Sequence, residues 1–207
     1  MAISTYGALK SAVATWLNRA DLTSYIPDLI TLGEQRIFYG GDEPHPTEPL
    51  RIPAMMTRAT GTITSSAIAF PTRFLEPVRV VASSGGSDWS LDYIAPQMFS
   101  EHSNSSATPS VYTYLNNQIE TSGSGAATYT LDYYQAFSAL TSDSDTNWLL
   151  TNAPGVYLYA SLIESAPFLM DTTMFSAWLY NFKAMIGSLN RATRRHGGGS
   201  LAMRVMR

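Results

Sequence analysis

Apolar residues return every three or four positions near both ends of this 207-residue chain, and in short alternating runs through its middle. A period near 3.6 buries one face of a helix and a period of 2 buries one face of a strand, so the ends should be helical and the centre a sheet. Neither terminal pair of helices can cover its own apolar stripe. The two ends therefore pack on each other, and the predicted fold class is α+β: a four-helix bundle carrying an inserted antiparallel β domain, either a sandwich or a partly open barrel.

At the N-terminal end Leu9, Val13, Trp16 and Leu17 share a helical face behind Thr5, an N-cap residue, and 18–21 reads as a turn. A second helix follows with Ile26, Leu29, Ile30, Gly33 and Ile37 on one face. Pro27 falls in its first turn, where a missing N–H costs nothing, and Gly33 would let another backbone approach closely. This helix should stop at Gly40 and Gly41, before the loop GGDEPHPTEP. Short β-branched and aromatic stretches then predict strands at 50–57, 59–64, 67–70, 77–82, 89–94, 111–115, 118–120 and 128–134. A brief helix is predicted at 96–102 and hairpin-like turns at 83–87 and 122–125. Helix returns at Pro154, with Val156, Tyr157, Tyr159, Ala160 and Ile163 following, and Pro167 should close or kink it. Asp171 is placed to cap a last helix, whose apolar face holds Met174, Trp178, Phe182, Met185, Ile186 and Leu189. The expected domains are 1–41 and 154–196 for the bundle, 50–136 for the β domain and 197–207 for a flexible tail.

Chemistry is harder to find. His45, His102 and His196 lie far apart, and no HExxH, GxSxG, P-loop or GxGxxG motif occurs. Carboxylate pairs such as Asp42 with Glu43, or Asp143 with Asp145, sit in polar loops, where solvation is the ordinary state. The triplet Leu-Asp-Tyr appears twice, at 91–93 and 131–133, as a strand with one wet face would have it. No catalytic group, metal site or cofactor is predicted. There is no cysteine, and the first twenty residues lack the basic and apolar blocks of a secretory signal. No run approaches the roughly 20 apolar residues of a membrane span. A soluble, intracellular chain is expected.

Charge is unevenly distributed. Residues 1–171 hold 16 acids against 7 bases, a net −9, whereas 172–207 hold six bases and no acid. Arg191, Arg194 and Arg195 suit the negative end of the last helix dipole. Beyond Gly197, Gly198 and Gly199 comes a tail in which Leu201, Met203 and Val205 alternate with Arg204, ahead of Arg207. Apolar residues past a glycine joint have no burial of their own, and their alternation is that of a strand completed by another chain's sheet edge. The cluster lacks the interleaved aromatics of a single-strand nucleic-acid site and the bulk of a membrane-binding face.

The junction after the strands reads LDYYQAFSALTSDSDTNWLLTNAPGVYLYASLIESAPFLMD. Its Tyr133, Tyr134, Leu140, Asn147, Leu149, Leu150, Pro154, Tyr157, Leu158, Tyr159, Ala166 and Pro167 resemble the head-to-tail adaptor (connector) proteins of tailed bacteriophages. The opening TYGALKSAVATWLNRADLTSYIPDLITLGEQRI, with Trp16-Leu17-Asn18-Arg19 and Ile26-Pro27, is similar to the start of that family too. The resemblance implies a structural subunit, not an enzyme, in a homo-oligomeric ring, usually a dodecamer, beneath the portal protein. It further implies a tail nozzle protein attached below, DNA passing through the channel with non-specific contact only, no membrane, and location in the virion neck after assembly in the host cytoplasm. The docking arm would be Arg191 to Arg207. The alternative is a receptor- or carbohydrate-binding β module, suggested by the twelve tyrosines.

Overall fold

The computed structural model describes residues 3–42, 44–103, 108–125, 127–169 and 172–197. In chain order the elements are α1 (Tyr6–Leu17), α2 (Ile26–Tyr39), β1 (Met56–Thr62), β2 (Ala67–Ala69), β3 (Phe74–Ser84), β4 (Ser87–Ser90), β5 (Asp92–Tyr93), α3 (Pro96–Phe99), β6 (Val111–Leu115), β7 (Gln118–Thr121), β8 (Thr128–Gln135), α4 (Trp148–Asn152), α5 (Pro154–Leu169) and α6 (Thr172–Gly197). They form two compact units. The described residues up to Ala54 and from Phe137 onward make the helical one, and those within Met55–Ala136 make the other. The α+β class expected from the periodicities is the one observed.

In the helical unit α5 is the hub, with α1, α2, α4 and α6 all packed on it. Its residues show why: Val156, Tyr157, Leu158, Ala160, Leu162 and Ile163 point in several directions and are all buried, as a helix apolar most of the way round demands. Thr5 caps α1 by accepting the Ala8 N–H at 3.3 Å, and Asn18 ends it in the left-handed region at φ 48°. The expected turn at 18–21 is instead followed by a 3-10 segment, Ala20–Tyr25, that runs straight into α2. Gly33 behaves as its position suggested: a Cβ there would lie 2.9 Å from the Ser161 nitrogen and 3.0 Å from the Ala160 carbonyl carbon. The α2–α5 crossing is close because no side chain stands between the backbones.

Several expectations are corrected in this unit. Trp16 is half exposed, its ring turned edge-on to Tyr159 at 5.9 Å, while Leu9, Val13 and Leu17 hold the buried stripe. Leu50 and Ile52 do not belong to a strand; they are core residues of the helical unit, and the Leu50 N–H bonds back to the Ile37 carbonyl. Their alternation is satisfied by packing on helices. Pro167 does not close α5, which continues to Leu169. Met174 stands exposed off the apolar face of α6, which Trp178, Leu179, Phe182 and Ile186 occupy. The N-cap expected at Asp171 lies outside the described residues.

The β unit consists of two four-stranded sheets, β1-β8-β3-β4 and β2-β7-β6-β5, with no closed barrel. Pairing is antiparallel except between β5 and β6, which run parallel. Of the predicted strands 50–57 and 59–64, only Met56 and Thr57 of the first are strand, and they run on into the second as one strand, β1, paired with β8 from Met56↔Tyr134 to Thr62↔Thr128. The predicted strand 89–94 divides into β4 and β5 on different sheets, with the buried Leu91 between them. Strand 77–82 is longer than expected and holds Pro77 between two register irregularities, where a residue without an N–H does least harm. Gly85 and Gly86, at φ 58° and 82°, make the β3–β4 hairpin turn. The segment at 122–125 is not a hairpin, since β7 and β8 lie in different sheets. Another tight hairpin turns at Asn116 and Asn117, with φ 52° and 58°, between β6 and β7.

Between the sheets, Ile63, Ile68, Val80, Leu91, Ile119, Leu131 and Tyr133 form the core. On the first sheet's other face Asp132 of β8 lies opposite Arg58 and Arg79 on its two neighbours. Arg58 donates to both carboxylate oxygens at 2.6 and 3.1 Å, and Arg79 Nε stands 3.6 Å away. The Arg58 hydrogen bond, then the two positive charges, hold the Asp132 carboxyl below the usual aspartate range. The second Leu-Asp-Tyr thus has its wet face built into a charge ladder. The first does not: Tyr93 is about half exposed.

Candidate docking surface

The C-terminal half of α6 is the part of the described chain that gathers the predicted contact residues. Its register is apolar through Phe182 and Ile186, and the next position inward is Asn190, polar yet buried. Asn190 is held by the segment that follows α2: its Oδ1 accepts the Arg51 N–H at 2.9 Å and its Nδ2 donates to the Pro49 carbonyl at 3.0 Å. A single side chain thereby fastens an irregular stretch of backbone along a helix. A cleft of about 300 Å³ opens there, lined by Pro46, Thr47, Phe182, Lys183, Gly187 and Arg191 among others. Phe182 and Ile186 are its buried floor, and Lys183 and Arg191 are exposed at its edge. His45, on the same segment, lies against Phe175 at 4.6 Å between ring centroids, in a packing role.

Of the residues expected to dock a partner, Arg191 stands on the cleft and Gly197 is the last residue of α6. Arg194 and Arg195 belong to the closing turns of that helix, their side chains outside the described set. Gly198, Gly199, Leu201, Met203, Arg204, Val205 and Arg207 lie outside the described residues. The 26 residues of α6 would span about 39 Å and contain no acid. Its last turns carry Arg191, Arg194 and Arg195 in sequence, the residue type that the negative end of a helix dipole favours. Asn190 and Lys183 escaped the sequence reading. The signal for Asn190 was available: one amide in an otherwise apolar stripe, four residues beyond Ile186.

The residues that carry the adaptor resemblance have a different use. Asn147 caps α4, accepting the Leu150 N–H at 2.9 Å, and its amide donates to the Ser138 carbonyl at 3.0 Å and to the Tyr157 hydroxyl at 2.9 Å. Tyr157, fully buried, donates in turn to Glu34 at 3.4 Å, joining α5 to α2. Leu149 and Leu150 are buried without remainder. These positions make a polar knot inside the bundle, so the shared pattern is one of architecture. A family model, SU10 adaptor protein, matches residues 4–204. The chain belongs to that family. SU10 adaptor proteins are phage head-to-tail adaptors, a structural class and not an enzyme class. The match takes in the β unit as well as both helical ends. No curated protein matches the chain. Among the described residues no group of three metal-ligating side chains comes together, and no helix is long and apolar enough to cross a membrane.

Proposed function

We propose that this SU10 adaptor protein is a subunit of a homo-oligomeric ring, twelve copies in the virion neck, assembled in the host cytoplasm beneath a portal protein and above a tail nozzle protein. The supporting observation is α6: a 26-residue helix without a carboxylate, ending in Arg191, Arg194 and Arg195 and leading into a basic, apolar segment. Those bases seek an acidic partner, and Leu201, Met203 and Val205 gain burial only against it. The remaining chain, at net −9 up to residue 171, repels DNA, so a duplex moving through the ring would slide with non-specific contact alone. Docking is coupled to ordering of the tail, and rings form on the portal.

Deleting residues 200–207 should leave a folded protein that no longer joins portal-containing heads in a pull-down; unchanged head binding rejects the docking arm. Replacing Arg194 and Arg195 by Glu should weaken docking, and the wild-type affinity should fall with rising ionic strength. A second reading, a receptor- or carbohydrate-binding β unit, has one observation in its favour. Tyr93 is about half exposed and leads a cluster with Tyr112 and Tyr114 at 5.7 and 5.4 Å between ring centroids. Glycan-array binding lost on Tyr93→Ala would establish it.

A further inference from the structure

Two helices of the bundle keep an outer face turned away from α5, that of α6 bordering the cleft at Gly187 and Arg191. On α2 the residues Asp28, Leu32, Gln35 and Tyr39 are all exposed, Leu32 by 46% and Tyr39 by 70%. At about 100° per residue they fall within some 60° of arc, on the side away from the buried Leu29, Ile30, Gly33 and Ile37. On α6 the residues Tyr180, Ala184, Gly187 and Arg191 repeat the same spacing of four, three and four, and Tyr180 is 74% exposed. Both helices pack on α5 through their other sides. Large aromatic and aliphatic side chains left standing in water on two faces of one molecule are the mark of contacts still to be made.

From this we infer that the outer face of α2 in one copy packs antiparallel against the outer face of α6 in the next. This rests on the ring reading above and names the surfaces that close it. Laid antiparallel, the two sets pair Asp28 with Arg191, Leu32 with Gly187, Gln35 with Ala184 and Tyr39 with Tyr180. Each pairing is complementary. The α2 face bears a carboxylate, and Arg36, the base on α2, is engaged by Glu164; α6 bears bases and no acid. Gly187 is open, since a Cβ built there meets nothing within 4 Å, and that is the hole a Leu32 knob requires. A long Gln faces a small Ala, and two exposed tyrosine rings meet. Laid parallel, Asp28 would face Tyr180 and the ion pair would be lost. With α2 engaged by one neighbour and α6 by another, the contact is heterologous and head-to-tail and generates a ring or filament, whereas a reciprocal exchange of both faces between two copies would close a dimer. Arg191 then serves the neighbour, leaving Arg194 onward for the portal.

The chain has no cysteine, so Leu32→Cys with Gly187→Cys introduces the only thiols. Full-length double variant assembled on portal-containing heads, then oxidised, should give a ladder of cross-linked species up to the full ring on a non-reducing gel, with each single variant giving none. An annulus seen by electron microscopy in the same sample without a ladder overturns the α2–α6 interface and leaves the ring reading intact. Absence of any annulus overturns the ring reading and the interface with it, and a product that stops at the dimer overturns the head-to-tail contact. As an independent handle, Asp28→Lys should reduce incorporation roughly tenfold and adding Arg191→Glu in the same chain should restore it, because a ring repeats the loss at every joint. Failure of the double exchange to restore it counts against the pairing.

Discussion

Asn147 joins three parts of the helical unit through one side chain. Its removal in Asn147→Ala takes away a helix cap and one hydrogen bond to the buried Tyr157 hydroxyl. The expected cost is about 2–4 kcal/mol, read as a shift in urea midpoint with unchanged slope. Asp132 gives a pH test with a definite sign. Its folded pKa is depressed by the Arg58 hydrogen bond, so its contribution is fully present above the ordinary aspartate range and is lost as pH falls through the lowered folded value. Asp132→Asn should therefore cost about 0.2–1 kcal/mol at neutral pH and leave a flatter acid limb in a stability–pH series than the wild type has.

At the scale of elements, the β6–β7 hairpin depends on two consecutive residues with positive φ, Asn116 and Asn117. That is the type I′ arrangement, which Asn tolerates and Gly prefers at the second place. Asn117→Gly should be neutral or raise the melting temperature of the β unit, and Asn117→Val should destabilise it by about 1–2 kcal/mol, since a branched Cβ is forced into the left-handed region. Thermal melts followed by near-ultraviolet circular dichroism separate the two outcomes. The α2–α5 crossing works on the same principle in reverse: there a glycine is required for proximity to the Ala160 and Ser161 backbone, with no demand on its φ.

For the whole molecule, the informative fact is where the chain enters and leaves the β unit. Met56 pairs with Tyr134, so the first and last strands of the insert are neighbours in one sheet and its ends lie a few ångströms apart. An insert of this form can be removed without opening the unit that hosts it. Residues 55–136 expressed alone should fold, with dispersed amide resonances and a strand-type circular dichroism spectrum. The helical unit with 55–136 replaced by a short Gly/Ser linker should keep its helical signal and a cooperative melt. A helical unit that melts without cooperativity would show the two to be interdependent.

The sequence by itself determined the class of fold and most of the helices, because an apolar stripe of period 3.6, a Thr cap and a Pro in a first turn are local signals that survive in any packing; α4, capped by Asn147, was not among them. It also exposed the charge imbalance on which the adaptor reading leans. What it left open needed partners distant along the chain. Leu50 and Ile52 alternate like a strand yet lie on helices; Leu91 hands the chain from one sheet to the other; Asp132 finds arginines 74 and 53 positions away. The cleft at Asn190 depends on a segment about 140 residues earlier. The outer faces of α2 and α6 likewise became visible only when α5 was seen to cover the other sides. Only tertiary structure decides which of two amphipathic faces is spent inside the molecule and which remains for a neighbour, since the free energy of burial depends on what lies opposite a residue and not on its own identity.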